Sequence, residues 1–193
     1  MPSHKPISSL VAHVDGASRG NPGPASYAVV VEDGSGSPVT SFSRFLGETT
    51  NNVAEYAALL AALQYALESG SSRLRVLTDS ELMARQIQGA YKVRSADLRP
   101  LYEEARRLIA RFERFSIAHI PREQNRQADR LANQALHRAE AGTGLEPKLQ
   151  ARLPSPPNPL RASATYRQGI LELQQELPLV EGEVVELEIR RKV

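Results

Sequence analysis

The chain has 193 residues, of which 41% are hydrophobic and 24% are charged, and its formal net charge is +2. This composition is typical of a globular protein with one domain, or with one domain and a small appendage. The absence of cysteine excludes disulfides, zinc–thiolate sites and a cysteine nucleophile. No apolar run approaches the roughly 20 residues that span a bilayer, and no signal peptide is recognisable, so we expect a cytoplasmic protein without a membrane partner.

The first 141 residues alternate between strand and helix patterns. In chain order, we predict strands at 11–15, 26–32 and 39–46, a helix at 53–68, a strand at 73–78, helices at about 80–89 and 98–112, a strand at 115–120 and a helix at 125–139. A loop rich in glycine and proline, residues 16–24, follows the first strand. Hairpin strands that lead into alternating strands and helices predict an α/β fold with a mixed sheet covered by helices.

A change of composition near residue 140 predicts a domain boundary. Five prolines occur from Pro147 to Pro159, and proline disfavours both helices and central strands. We therefore predict a domain at residues 1–141, a proline-rich linker at 142–160 and a small β extension at 161–193.

Four acidic residues occupy similar positions in the predicted elements. Asp15 and Asp79 end strands, while Glu55 and Asp129 lie in the first turns of helices. Each acid has an ordinary explanation, because the helix dipole favours a carboxylate in a first turn and Asp79 is a candidate N-cap. Together, however, the four are expected at one edge of the sheet, where α/β folds bind their ligands.

Clustered carboxylates repel one another and raise each other's pKa. A pair of divalent cations removes this conflict, and oxygen ligands suit magnesium or manganese rather than zinc. The acidic positions therefore predict a metal site.

Four stretches of the chain follow a known pattern in the expected order. They are VDGASRGNPGP at 14–24, TTNNVAE at 49–55, TDS at 78–80, and His119 followed by Asn125 and by ADRLA at 128–132. Through these stretches, residues 10–140 resemble ribonuclease H, type 1, the endonuclease of RNA–DNA hybrids.

The resemblance implies a ribonuclease H-like fold, in which helices flank a five-stranded mixed sheet. It implies that Asp15, Glu55, Asp79 and Asp129 are the catalytic carboxylates and bind two Mg²⁺ ions, with Mn²⁺ as an alternative. It further implies hydrolysis of the RNA strand of a hybrid, which leaves a 3′-hydroxyl and a 5′-phosphate.

The resemblance also implies substrate contacts near these acids. Asn21, Asn51 and Asn52 are expected in the minor groove, where an amide can both donate to a ribose 2′-hydroxyl and accept from it. Thr50 is expected at a phosphate of the DNA strand, and Ser80 is expected at the substrate. In the alternative interpretation, Asn51 and Asn52 only cap the helix and Asn21 only forms a turn.

Two further groups of residues have open roles. His119 and Arg122 are alternative candidates for assisting water activation or product departure. We favour Arg122, because His119 ends an apolar strand, where a histidine is commonly structural. Some family members insert a basic helix after the second helix; here Tyr91, Lys92 and Arg94 could stack on a sugar and pair with phosphates, or form a solvated loop.

The pattern of residues 161–193 is typical of a small β-meander and resembles small antitoxin-like β-modules, which pair strands between chains. We therefore expect either homodimerisation through this extension or its docking on the first domain. Residues 141–193 contain seven basic and seven acidic side chains, which argues against nucleic-acid binding by the extension.

Two alternatives to an endonuclease remain open. One is a non-catalytic hybrid-binding module that kept the fold, and the other is a DNA-cutting enzyme of the same superfamily. The presence of all four acids disfavours the first alternative. The asparagine-containing stretches disfavour the second, because they imply recognition of a 2′-hydroxyl.

Overall fold

The structure, a computed structural model, describes residues 9–141, 164–167 and 170–173. The chain divides into two compact units, Met1–Ala151 and Arg152–Val193. Within residues 9–141, the strands are β1 (Ser9–Ser18), β2 (Gly23–Asp33), β3 (Pro38–Thr49), β4 (Arg73–Thr78) and β5 (Arg114–His119). The helices are α1 (Asn51–Glu68), α2 (Glu81–Ile87), α3 (Arg99–Ile109) and α4 (Arg126–Glu140), and a short 3-10 helix (Arg122–Gln124) precedes α4.

The five strands form one sheet in the order β3-β2-β1-β4-β5. The pairs β1–β2 and β2–β3 are antiparallel, whereas β4 lies parallel to both β1 and β5. The predicted α/β fold with a five-stranded mixed sheet is confirmed. Every predicted element of residues 9–141 is present, and its ends lie within three residues of the predicted ones.

The first strands are longer than predicted because they pair beyond their apolar runs. β1 pairs with β2 as far as Ser18↔Ala25, so the glycine- and proline-rich loop shortens to residues 19–22. The expectation that Asp15 ends its strand is therefore wrong, since Asp15 lies inside β1.

The parallel pairing of β4 with β1 stops at Val14↔Thr78. Beyond this pair β1 continues while β4 ends, so Asp15 and Asp79 directly follow the last paired residues. The two acids are neighbours because of this register, and not because both strands end there.

Helices cover both faces of the sheet. Phe42 of β3 packs against Tyr65 of α1, with their ring centroids 5.8 Å apart. On β2, the Ser26 hydroxyl donates to the carbonyl oxygen of Ala132 in α4 at 2.6 Å. Phe42 pairs with Val29, which is three residues from Ser26 along β2. Successive residues of a strand point to opposite faces of the sheet, so Phe42 and Ser26 lie on opposite faces, and so do α1 and α4. Because α3 packs on α1, α1 is buried around most of its circumference.

In the second unit, β6 (Ala164–Arg167) pairs antiparallel with β7 (Ile170–Leu173). The other strands of the predicted meander and the linker at 142–160 lie outside the described residues, and the domain limits at 141 and 161 remain predictions. Within the described part of the chain, no helix combines the length and the apolar character needed to cross a bilayer.

Candidate active site

Three acidic side chains meet at the edge of the sheet where β4 ends. Asp15 of β1, Glu55 of α1 and Asp79 each place a carboxylate oxygen within 4.8 Å of the other two. Asp15 is only 4% exposed and Glu55 only 5%, so water screens their charges poorly. Such a cluster is unfavourable unless protons or a cation neutralise it.

Gly16 allows β1 to approach α1 closely. A Cβ atom at this position would lie 2.3 Å from the Glu55 nitrogen and 2.5 Å from the carbonyl carbon of Ala54. The backbone N–H of Gly16 also partly offsets the raised pKa of Glu55. The glycine after Asp15 therefore brings a strand carboxylate and a helix carboxylate together, and its place in the sequence was a usable signal for this contact.

The surroundings of the cluster disfavour the ionised form of its carboxyl groups. Burial, followed by the charges of Asp79 and Asp129, raises the pKa of Asp15 to about 8. Burial, followed by the charges of Asp15 and Asp79, raises the pKa of Glu55 well above its usual range. Asp15 Oδ2 and Glu55 Oε2 are buried without a hydrogen-bond partner among the described residues. Buried carboxylate oxygens that lack donors are the arrangement into which a divalent cation fits.

Asp129 lies at the rim of the cluster, outside the group of three. Its Oδ1 accepts a hydrogen bond from the Arg122 guanidinium at 2.6 Å, and this pairing raises the pKa of Arg122. The charge of Asp129 also contributes to the raised pKa of Asp15, so Asp129 acts on the same site. The four predicted acids are thus arranged as three clustered carboxylates and one ion-paired carboxylate.

Asn125 belongs to the site, although the sequence analysis named it only within a family-like stretch and gave it no role. It is 1% exposed, and its side-chain nitrogen donates to Asp79 Oδ1 at 2.8 Å and to the Val14 carbonyl oxygen at 2.9 Å. Asn125 precedes α4, yet its side chain makes no cap hydrogen bond. The signal that could have identified it is its place at a helix start, one turn before Asp129.

Comparisons with known proteins agree with this geometry. Residues 13–135 match the protein family described as "Reverse transcriptase-like". The ribonuclease HI of Halobacterium salinarum is 45% identical over 125 residues, which are 65% of this chain and 63% of that protein. The crystal structure of LC11 ribonuclease H1 in complex with an RNA/DNA hybrid is 39% identical, with a TM-score of 0.66 over 68% of this chain and 99% of that one. The chain belongs to the ribonuclease H-like family.

Some members of the family that resemble this chain are longer proteins. A bifunctional protein of Mycobacterium tuberculosis is 41% identical over 153 residues. The match covers 78% of this chain but 42% of the mycobacterial protein. The ribonuclease H-like chain therefore spans less than half the length of that relative.

The two candidates for an assisting residue occupy different positions in the ribonuclease H-like site. His119 is the last residue of β5, where it pairs with Thr78, and its side chain is exposed without a hydrogen bond to any described residue. Arg122 instead contacts Asp129 directly. Arg122 is thus the candidate that touches a site acid.

The predicted minor-groove residues cluster at the start of α1. Thr50 is the N-cap and accepts from the Val53 N–H at 3.3 Å, so Asn51 and Asn52 are the first helical residues rather than caps. Both are exposed. Asn21 Oδ1 accepts from the Asn51 N–H at 3.3 Å and thereby ties the loop after β1 to this helix start.

The other predicted substrate residues lie around α2. Ser80, rather than Asp79, caps α2 by accepting from the Met83 N–H at 3.4 Å. Residues 88–98, all of them described, form no helix between α2 and α3. Within this segment lie three exposed side chains, which are Tyr91, Lys92 and Arg94. The basic helix that some family members insert is therefore absent from this described segment.

Proposed function

We propose that this chain is a metal-dependent endonuclease that hydrolyses the RNA strand of RNA–DNA hybrids and leaves 3′-hydroxyl and 5′-phosphate ends. The observation that carries the proposal is the group of Asp15, Glu55 and Asp79, each of which places a carboxylate oxygen within 4.8 Å of the other two. In the two buried members, Asp15 Oδ2 and Glu55 Oε2 lack a donor among the described residues. The solved structure of a 39% identical ribonuclease H1 contains an RNA/DNA hybrid, which supports the same substrate for this chain.

The donor set fits magnesium. All four acids offer carboxylate oxygens, and cysteine is absent from the chain, so hard cations are preferred over zinc. We assign two Mg²⁺ ions to Asp15, Glu55, Asp79 and Asp129, and Mn²⁺ would fit the same donors. When bound, such ions supply an activated water and stabilise the charge on the leaving oxygen.

The residues of the chain supply the remaining functions of the site. Asn125 holds the Asp79 carboxylate in place through its side-chain amide. Arg122 is a cation on the rim, and its contact with Asp129 supports a role in neutralising the departing phosphate. His119 is the alternative for this assisting role.

Substrate choice is assigned to the exposed start of α1. Because Thr50 provides the helix cap, the amides of Asn51 and Asn52 are available to a ribose 2′-hydroxyl, together with Asn21. Thr50 is also proposed to contact a DNA phosphate. We assign additional contacts with the hybrid substrate to four further residues, which are Ser80, Tyr91, Lys92 and Arg94.

The domain limits proposed for this function are 1–141 for catalysis, 142–160 for a linker and 161–193 for a β extension. We further propose a cytoplasmic location, and homodimerisation through the extension remains a prediction. Gel filtration of the full chain and of a chain that ends at residue 141 tests the dimer.

The proposed activity is tested by incubating labelled hybrid, all-DNA and all-RNA duplexes with the full chain and Mg²⁺. We expect cleavage of the RNA strand in the hybrid alone, and no cleavage by Asp79→Asn. Binding of the hybrid without cleavage would support a hybrid-binding module, and cleavage of the all-DNA duplex would support a DNA-cutting enzyme. Equal cleavage by the wild type and Asp79→Asn would refute the assigned site.

A further inference from the structure

An open groove of about 450 Å³ lies between β3 and α4. It is on the α4 face of the sheet, opposite α1, and of its lining residues Arg130 and Leu131 belong to the stretch 128–132 on which the family resemblance rests. Its lining residues are Ser41, Arg126, Gln127, Arg130, Leu131 and Gln134. No acidic residue is among these described lining residues, so the groove is positively charged.

The two arginines of the groove are electrostatically unfavourable for the isolated protein. Arg126 and Arg130 are one helical turn apart and both exposed, and like charges at this spacing destabilise a helix. Arg126 also begins α4, where the helix dipole disfavours a cation. Neither side chain makes an ion pair or hydrogen bond with a described residue.

Some other arginines of the chain are neutralised by acids. Arg85 and Arg107 pair with glutamates on their own helices, and Arg19, in the loop after β1, pairs with Glu140 of α4. In the groove, by contrast, two arginines without an ion pair lie one helical turn apart, an arrangement that an anionic ligand would stabilise.

The wall of the groove on β3 continues with side chains that suit a nucleic acid. The register pairs Ser43 with Ala28 and Phe45 with Ser26, and Ser26 faces α4. Directly paired residues lie on the same face of a sheet, so Ser41, Ser43 and Phe45 follow one another on the α4 face. Phe45 is 41% exposed. Hydroxyl groups can donate to phosphates, and an exposed ring can stack on a sugar or base.

The groove begins beside the catalytic carboxylates. Arg126 follows Asn125, which contacts Asp79, and Arg130 follows Asp129. A nucleic-acid strand that binds at the carboxylates and continues along α4 would therefore meet the positive charges of Arg126 and Arg130.

We propose that this groove binds the phosphate backbone of the RNA–DNA hybrid beyond the cleavage position, through Arg126 and Arg130. The inference rests on the proposed function and adds a contact surface to it. This surface supplies positive charge in a chain that has no basic helix within its described residues 88–98.

The experiment measures hybrid affinity against salt concentration in EDTA, so that no cleavage occurs. The variants are Arg126→Gln/Arg130→Gln, Arg126→Lys/Arg130→Lys and the control Arg107→Gln/Arg111→Gln. The control removes the same charge at the same spacing from the region of α3, which packs on α1 and thus on the opposite side of the sheet. A melting curve of each variant verifies that it is folded.

Each phosphate contact contributes about 0.9 to the slope of log affinity against log salt. The glutamine pair should therefore reduce this slope by roughly 1 to 2, and the affinity that is lost between about 50 and 200 mM salt should shrink by about tenfold. The lysine pair should largely retain the wild-type slope, because it retains both charges. The control should have the wild-type slope.

Several results would overturn the inference. An unchanged slope in the glutamine pair, or an equal reduction in the control, would exclude a local contact by the groove. If the wild type cleaves hybrids while the glutamine pair binds them normally, the groove assignment fails and the proposed function stands. If the wild type neither binds nor cleaves hybrids, both are wrong. A loss of affinity confined to an all-DNA duplex would assign the groove to another nucleic acid.

Discussion

The side-chain amide of Asn125 donates to Asp79 Oδ1 at 2.8 Å and, through the same nitrogen, to the Val14 carbonyl oxygen at 2.9 Å. Asn125 thus joins the start of α4 to the point where the pairing of β1 with β4 ends. Since Asn125 is 1% exposed, water cannot replace these bonds. The orientation of the Asp79 carboxylate therefore depends on a residue from the other end of the domain.

Removing this link should reduce both activity and stability. Asn125→Ala leaves the buried Val14 carbonyl without this donor, which costs about 1–3 kcal/mol of unfolding free energy. We expect kcat to fall by about tenfold or more with a smaller change in KM, because a freed Asp79 spoils the metal geometry. Steady-state kinetics and urea unfolding measure the two effects.

A matched control for this variant is Asn133→Ala, which removes an amide from α4 itself. Among the described residues, the Asn133 amide donates only to the Asp129 carbonyl oxygen, so its loss should leave kcat near the wild-type value. Equal losses of kcat in both variants would contradict the positioning role of Asn125.

Gly16→Ala should damage both the fold and the site. The added Cβ would lie 2.3 Å from the Glu55 backbone nitrogen, and overpacking of this kind typically costs about 1–3 kcal/mol or more. Gly34→Ala is the control, since its Cβ would approach only Ser9, at 3.6 Å. The melting temperature and the rate of hybrid cleavage should fall for Gly16→Ala and not for Gly34→Ala. A Gly16→Ala variant with the wild-type melting temperature and cleavage rate would disprove the close packing of β1 on α1.

The stability of the protein in EDTA should depend on pH through Asp15. Burial and neighbouring charges raise its pKa from the ordinary value of 3.8 to about 8, so the folded state binds this proton more tightly than the unfolded state. The stabilising contribution is complete below pH 4 and is lost as the pH rises to about 8. Urea midpoints across this window should fall for the wild type.

Asp15→Asn removes this titrating group, so we expect a flatter pH profile and a higher stability than the wild type at pH 8. The exposed Asp97 provides the comparison, because Asp97→Asn should keep the wild-type slope. A wild-type profile without a decline toward pH 8 would contradict the buried, mutually repelling cluster.

Metal binding should distinguish the three clustered acids from Asp129. Mg²⁺ that binds only the folded state raises the melting temperature, and this increase should be largely lost in Asp79→Asn. We expect a smaller loss in Asp129→Asn, because Asp129 lies outside the group of three and pairs with Arg122. Melting curves against Mg²⁺ concentration give the apparent affinities for Mg²⁺. If Asp129→Asn lost more of the Mg²⁺-dependent increase in melting temperature than Asp79→Asn, Asp129 would be the more important metal ligand and the prediction would be wrong.

Arg122→Gln should affect catalysis rather than folding. The side chain of Arg122 is 70% exposed, so its ion pair contributes at most about 1 kcal/mol to stability. We expect kcat to fall by about 100-fold, the lower end of the loss that is typical when one charge-stabilising donor is removed, with an unchanged melting temperature. His119→Ala is the comparison, and a larger loss of kcat in that variant would assign the assisting role to His119 instead.

The order of elements in residues 9–141 could be predicted from local patterns. Strand alternation, helical spacing and turn residues are properties of neighbouring residues, so they identified β1 to β5 and α1 to α4. The acidic residues could be located in the same way, because Asp79 follows an apolar run and Glu55 lies near a helix start. These features can be predicted without any knowledge of how the elements pack.

The arrangement of the site depended on contacts between distant segments. Asp15 adjoins Asp79 because of the register between β1 and β4, which no local pattern encodes. The cap at Thr50 leaves two asparagines exposed, and the buried amide of Asn125 reaches across to Asp79. The groove of Arg126 and Arg130 likewise exists only because α4 packs beside β3. Local propensity specifies elements, whereas pairing and packing bring their side chains together, and this is why the detailed arrangement of the site emerged only from the tertiary structure.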